Sequence, residues 1–305
     1  MVRHLTKLVA VLAGCQIACA GDKDIAAVAA ANPVDSGIEI THAFETEASY
    51  VGGSQASYGN QHYGDVSETA ASASYVASPQ ITSNAFLRLG AAWERYSFDV
   101  GNAVPIPNTL QSTNVILGVD FGISDNLLMR FEATPGFYSD FADIDADDFN
   151  VPFVLGGSYL VNSKLQWFFG LRVDLNGDMP VLPGFGFRWN FADKWVLNFL
   201  LPKPRLEYEM SDKVTLYAGA DLRGGTYRVS ENFGAAYDRD DMDNSIVSYS
   251  EYRGGLGANW KINSTFTVES EGGYTFKRDF DFIDAGVNVE TKGAPYGRLG
   301  VTAKF

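Results

Sequence analysis

The chain has 305 residues, 46% of them hydrophobic and 20% charged, with 31 glycines and 13% aromatics. This balance excludes a disordered chain, and the mix of glycine, aromatics and short polar punctuation favours strands over helices. The net charge of −14 argues against nucleic acid as a partner.

The first residues carry Arg3 and Lys7, an apolar stretch from Leu8 to Ala20, and the small-residue site Ala18-Cys19-Ala20. Residues 1–20 therefore read as a secretory signal peptide, too short to span a membrane as a helix. Leu12-Ala13-Gly14-Cys15 also matches a lipobox, in which Cys15 would be lipidated, so the class of signal peptidase stays open. Cys15 and Cys19 are the only two cysteines, and cleavage after Ala20 would leave no thiol for a disulfide, zinc or nucleophile. Residues 21–35 read as a periplasmic lead-in and 36–305 as a single β domain. No later apolar run approaches the ~18 residues of a membrane helix.

Further along, one five-residue signature recurs: "ISDNL" at Ile123–Leu127, "VNSKL" at Val161–Leu165, "FADKW" at Phe191–Trp195, "MSDKV" at Met210–Val214 and "INSTF" at Ile262–Phe266. The sequence between these points alternates with period two. Leu165, Trp167, Phe169, Leu171 and Val173 share one face; Gln166, Phe168, Gly170 and Arg172 share the other. A three-residue hairpin loop puts its two flanks opposite each other on one face, and the flanks here are apolar in all five cases. The signature is a tight turn between long antiparallel strands. The other connections, such as "YSDFADIDADDFN" (Tyr138–Asn150) and "NFGAAYDRDDMDN" (Asn232–Asn244), are longer and acidic.

Short and long connections alternate along the chain. That asymmetry predicts a transmembrane, antiparallel, up-and-down β-barrel with short periplasmic turns and longer acidic external loops. Parity gives about fourteen strands, near 36–49, 64–78, 84–99, 111–121, 127–138, 149–161, 165–175, 181–191, 195–201, 204–210, 214–229, 246–261, 265–278 and 293–305. Pro202 and Pro204 break "LLPKPRL" into two short strands; without that break, twelve is the alternative. Trp167, Trp189, Trp195 and Trp260 lie within two residues of a turn flank, where an interfacial girdle sits. A terminal Phe305 closing an amphipathic strand adds the usual assembly signal of bacterial outer-membrane barrels.

The run "WVLNFLLPKPRLEYEMSDKVTLYAGADL" (Trp195–Leu222), with "VLPGFGFRW" before it, resembles a bacterial outer-membrane β-barrel family of unknown function. More loosely, the chain is similar to the barrels associated with the meta-pathway of phenol degradation. The specific match covers about 40 residues, and elsewhere only architecture is shared. The resemblance implies an integral barrel of a Gram-negative-type outer membrane and an uptake role, and it transfers no catalytic residue.

Function is therefore sought on the inward face. The alternation places Arg88, Arg130, Glu132, Arg172, Asp174, Arg188, Arg205, Glu207, Asp221, Arg223, Glu251, Arg253, Glu269 and Arg298 there, with Gly90, Gly118, Gly170, Gly186, Gly219 and Gly257 between them. These residues are expected to line the lumen of a passive, porin-like channel for small solutes or ions. The alternative is an occluded structural or adhesive barrel stiffened by cross-strand ion pairs. A barrel hydrolase is a third reading: His62 in "YGNQHYGD" could serve as a base near Ser57 or Asp65. Asp143, Asp145 and Asp147 have the spacing of Ca²⁺ ligands, but lack the glycine and terminal glutamate of an EF-hand. No cofactor is expected. The expected partners are outer-membrane lipids and lipopolysaccharide, with divalent cations at the acidic loops; no oligomeric state follows.

Overall fold

The computed structural model describes residues 40–58, 61–101 and 104–305. The expected signal peptide, Cys15 and the lead-in lie outside the described residues. Fourteen antiparallel strands close into a barrel: β1 (Ile40–Tyr58), β2 (Gln61–Thr82), β3 (Ala85–Asp99), β4 (Thr109–Ser124), β5 (Leu127–Ala133), β6 (Phe153–Asn162), β7 (Leu165–Val173), β8 (Val181–Ala192), β9 (Trp195–Phe199), β10 (Arg205–Ser211), β11 (Val214–Arg228), β12 (Ile246–Lys261), β13 (Phe266–Phe282) and β14 (Ala294–Lys304). The ring is sealed where β1 pairs with β14, from Ala43 opposite Lys304 to Val51 opposite Tyr296. Closure leaves no edge strand at this level, as a sheet in hydrocarbon requires.

The small polar residues of the repeated signature hold the turns. The Asn162 side chain accepts from the backbone N–H groups of Lys164 and Leu165; Ser211 does the same for Lys213 and Val214, and Asn263 for Thr265 and Phe266. Such side chains satisfy turn donors that have no ladder partner. The pairing closes one residue tighter than expected: Ala192, not Phe191, opposes Trp195, and a bulge follows. Lys194 takes the left-handed conformation (φ 65°) that this bulged turn needs. A sixth turn at Thr82–Ala85, which the five-residue signature did not count, lies at the same end.

Outside, the strands present Leu89, Val115, Leu117, Phe131, Leu155, Leu171, Phe185, Leu256 and Leu299 to the surroundings. Trp189, Trp195 and Trp260 are exposed beside the short turns. An apolar belt with an aromatic rim is the outer surface of a barrel that spans a bilayer.

The long-loop end departs from a plain cylinder. The expected first connection, from 50 to 63, is mostly strand: β1 runs on to Tyr58 and β2 starts at Gln61. Strand β5 stops at Ala133, and after Pro135 the chain resumes as Gly136–Ser139 against β4. The tip of that segment crosses to β11, where Ser139 bridges Arg228 and Asp140 N–H donates to the Arg228 carbonyl. Val287–Thr291 pairs with both β13 and β1. A second, narrower ring therefore stands on part of the first. It consists of β1–β4, Gly136–Ser139, β11–β13 and Val287–Thr291, while β5–β10 belong to the wide lower tier alone.

A ring of this size leaves room only for side chains. Tyr96, Phe98, Leu110, Tyr227, Val247, Tyr249, Phe280, Phe282 and Val289 fill it, and all are buried. The long loops add Val104, Ile106 and Met242 to the same cluster. Phe98 packs edge-on against Tyr249 and Phe280 at 5.3 and 5.0 Å between ring centroids. The long loops thus help to fill this end of the barrel.

Candidate functional site

Beneath the apolar fill lies the charged interior. Some of its ion pairs join strands that are not neighbours, so those side chains meet across the inside of the barrel. Arg223 of β11 reaches Glu47 of β1 at 2.6 Å, and Arg205 of β10 reaches Glu269 of β13 at 2.7 Å. Arg298 of β14 is the hub, pairing with Glu47 (2.7 Å), Glu271 (2.6 Å) and Glu269. The Tyr217 hydroxyl lies 2.7 Å from both Glu269 and Glu271, and the Arg205 guanidinium sits over its ring at 4.0 Å. Glu94 accepts from the Tyr96 hydroxyl at 2.8 Å, which ties this network to the aromatic fill above.

On the opposite wall the pairs are more local. Arg130 binds Asp120 through two 2.6 Å hydrogen bonds, and Arg88 binds Glu132 at 2.6 Å. Arg172 binds Asp174 at 3.0 Å, whose other oxygen accepts from Asn150, and Arg188 lies 3.5 Å from Glu207. Glu269 keeps 26% of its side chain accessible, and the Arg88, Arg130 and Arg172 side chains retain partial access. Water can thus reach these groups inside the wide tier.

A third group is dry. Arg253 pairs with Glu251 (2.7 Å) and Glu68 (3.3 Å), and Arg278 with Glu68 (3.5 Å); none of the four side chains has any exposure. Glu68 also accepts from the Tyr249 hydroxyl at 2.5 Å, and Glu251 from Thr275 at 3.0 Å. Arg278 donates to the Val66 carbonyl and to Ser54. Two cations and two carboxylates cancel here, which is what permits charge where water is absent.

All fourteen inward residues named from the sequence appear in these pairs or beside them: Arg88, Arg130, Glu132, Arg172, Asp174, Arg188, Arg205, Glu207, Asp221, Arg223, Glu251, Arg253, Glu269 and Arg298. Sequence reasoning missed Glu47, Glu68 and Arg278. Glu47 and Glu68 stand in "ETEASY" and "SETAASASY", where no apolar alternation marks a face. Arg278 was hidden by a bulge at Tyr252/Arg253, which turns Arg278 inward and puts Lys277 on the other face with Tyr252.

The Ca²⁺ spacing has another use. Asp145 caps the short 3₁₀ turn Ala146–Asp148, accepting from Asp147 N–H, while Asp148 accepts from Asp145 N–H. Among the described residues, no group of three or more His, Cys, Asp or Glu is placed to hold a metal ion. For the hydrolase reading, His62 lies in β2 opposite Ser57 in the ladder. His42 stacks on Phe305 and lies 2.7 Å from the Tyr75 hydroxyl at the short-turn end.

Fold and interior together define a closed, fourteen-stranded transmembrane β-barrel with a charge-balanced inside. The chain belongs to the family described as "Domain of unknown function (DUF6268)", which matches residues 80–300. No curated protein matches it. Among solved structures it is similar to the COG4313 outer membrane channel from Pseudomonas putida F1, at 11% identity and a TM-score of 0.46, covering 90% of this chain and 100% of that one. It is also similar to Pseudomonas putida OprB, at 8% identity, a TM-score of 0.38, and 88% and 94% coverage. A TodX monoaromatic hydrocarbon channel mutant gives 9% identity, a TM-score of 0.43, and 87% and 90% coverage. Every one of these TM-scores is below 0.5.

Proposed function

We propose that the protein is an outer-membrane barrel without enzymatic activity that passes small polar solutes or ions, and that the narrow upper tier is its closed gate. One contrast carries this reading. The wide tier is lined by balanced charge that water can reach, whereas the upper tier is packed dry with aromatics. A lumen needed only as a scaffold has no use for accessible, opposed Arg and Glu walls, which set a transverse field across a path. On this reading the six short turns face the periplasm and the acidic loops face outward among lipopolysaccharide, where bound divalent cations would screen them.

The test is single-channel conductance in a planar bilayer. The unaltered protein should be mostly silent, and Phe98→Ala/Phe280→Ala should give steady, charge-selective openings. Silence from both, with a folded, heat-modifiable band on a gel, would sink the channel. The second reading would then hold: an occluded barrel whose loops bind a partner, a role favoured by the four unexposed ions of the dry layer.

A further inference from the structure

The outer wall carries a furrow where β12, β13, β14 and β1 run side by side. Ladder pairing sets outward residues of successive strands in one row, from Ala258 through Ser270, Leu299, Ala48 and Ala71 to Arg95 of β3. Between Leu256, Leu299 and Tyr50, all exposed, lies an open cavity of about 820 Å³. Its floor is Gly272 opposite Gly297. A Cβ at Gly297 would meet nothing within 4 Å, and one at Gly272 only the Tyr296 carbonyl oxygen at 3.8 Å. The missing side chains leave space that no other part of the chain fills.

The row is slanted. Ala258 lies beside the short turn that follows Lys261, whereas Arg95 lies in the upper half of β3, which starts at Ala85. Ten residues of a tilted strand climb about 25 Å, the height of the apolar band. Trp93, the preceding outward residue of β3, is half-buried at the level of an upper aromatic girdle. Arg95 therefore stands where hydrocarbon gives way to headgroups, and the furrow descends from it into the membrane.

Arg95 is exposed, and among the described residues its guanidinium meets only neutral groups. Nε donates to Ser97 Oγ at 3.1 Å and Nη2 to Thr109 Oγ1 at 3.4 Å. Every other arginine of the described strands except Arg228 lies within 4.0 Å of a carboxylate. Arg228 donates to the carbonyl oxygens of Asp147 and Asn244. In a chain of net charge −14, Arg95 is thus a cation without an internal anion. Its planar fork matches phosphate oxygens two at a time. Gln111, its ladder partner on β4, and Thr69, opposite Ser97, add an amide and a hydroxyl beside it, groups that suit a sugar. Thr69 also lines the furrow, so the polar cluster and the apolar cavity are continuous.

We propose that Arg95 and the furrow form a binding site for one phosphorylated glycolipid of the outer leaflet, its phosphate on Arg95 and an acyl chain laid over Gly272 and Gly297. The site rests on the outward orientation of the long-loop end given above, and not on the interior being a conduit. A linear chain in the furrow restores the dispersion contacts that the two glycines forgo.

The full protein, refolded and delipidated in non-ionic detergent, is offered an equimolar mixture of diphosphorylated lipid A, dephosphorylated lipid A and phosphatidylglycerol, and native mass spectrometry counts what it retains. The unaltered protein should keep a single diphosphorylated lipid A in preference to the others. Arg95→Gln should weaken its retention at least about tenfold, the worth of a charge-assisted pair. Gly297→Phe fills the furrow without meeting the rest of the chain and should weaken it at least about fivefold. Leu117→Phe, as bulky and also outward but away from the furrow, should leave it unchanged. A heat-modifiable band on a gel shows that each variant is folded. Retention unaffected by Arg95→Gln and by Gly297→Phe overturns the site, and loss with Arg95→Gln alone overturns the seat of the acyl chain. Phosphatidylglycerol held as tightly as lipid A overturns the glycolipid assignment. Neither substitution touches the interior, so the conductance of the Phe98→Ala/Phe280→Ala protein should be the same with Arg95→Gln added. Lipid retention without conductance removes the channel alone; conductance without lipid retention removes the lipid site alone.

Discussion

Arg253 and Glu68 meet at 3.3 Å with neither side chain exposed, although three strands separate β12 from β2 around the ring. Removing one member of such a set leaves a buried charge without its partner. Glu68→Ala, which abandons both Arg253 and Arg278, should therefore cost about 3–5 kcal/mol. The urea midpoint of the protein folded in vesicles, followed by tryptophan fluorescence, measures this. A loss below about 1 kcal/mol would mean that water enters the dry layer.

Gly224 takes φ 129°, and a Cβ there would lie 2.0 Å from the Tyr249 carbonyl oxygen. Gly224→Ala should lift β11 from β12 at the base of the upper tier, at a cost on the order of 1–3 kcal/mol or more. The variant should insert and close its lower ring, but lose the amide-exchange protection of Tyr227, Val247 and Tyr249. Unchanged protection would show that the upper tier tolerates a shift of that size.

The Asn263 side chain accepts from both Thr265 and Phe266 N–H at 2.8 Å. Asn263→Ala should cost about 1 kcal/mol, and Asn263→Asp, which keeps the acceptor, should restore most of it. Equal urea midpoints for all three proteins would show that water serves the turn equally well.

Burial raises the Asp148 carboxyl above its ordinary range, partly opposed by the hydrogen bond from Asp145 N–H. A carboxyl raised in the folded state favours folding while protonated, so its contribution is present at low pH and lost as pH rises through the folded value. Asp148→Asn keeps an acceptor and removes the charge. The stability difference between the variant and the unaltered protein should therefore be small below about pH 4 and grow in favour of the variant above it. A difference that does not change with pH would contradict the assignment.

The wall of the barrel was legible wherever apolar and polar residues alternate without interruption. From Leu165 to Arg228 the expected strand limits fall within two residues of those observed. The turns were legible because their small polar residues have a chemical duty, as Asn162 and Ser211 show. The face of β1 and β2 was not, because Ala, Ser and Thr suit either side. Nor was the upper tier. Its fifth wall is made by four residues after a proline break, and its fill is completed by Val104, Ile106 and Met242, from a proline-broken loop and an acidic one that show no strand alternation. A tertiary assembly of that kind leaves no periodic trace.

Strands β9 and β10 have 5 and 7 residues, and the low wall they make acts on the lipid around it. A barrel of even height asks the same thickness of the bilayer on every side, but here one flank offers an apolar span several ångströms shorter than the rest. The neighbouring leaflets must dip towards the Leu200–Pro204 turn, at a cost of fractions of a kcal/mol per ångström of mismatch. Thin lipid is therefore drawn to one side of the molecule, and two copies would lower the strain by sharing a single depression, which gives the barrel a preferred side in the plane of the membrane.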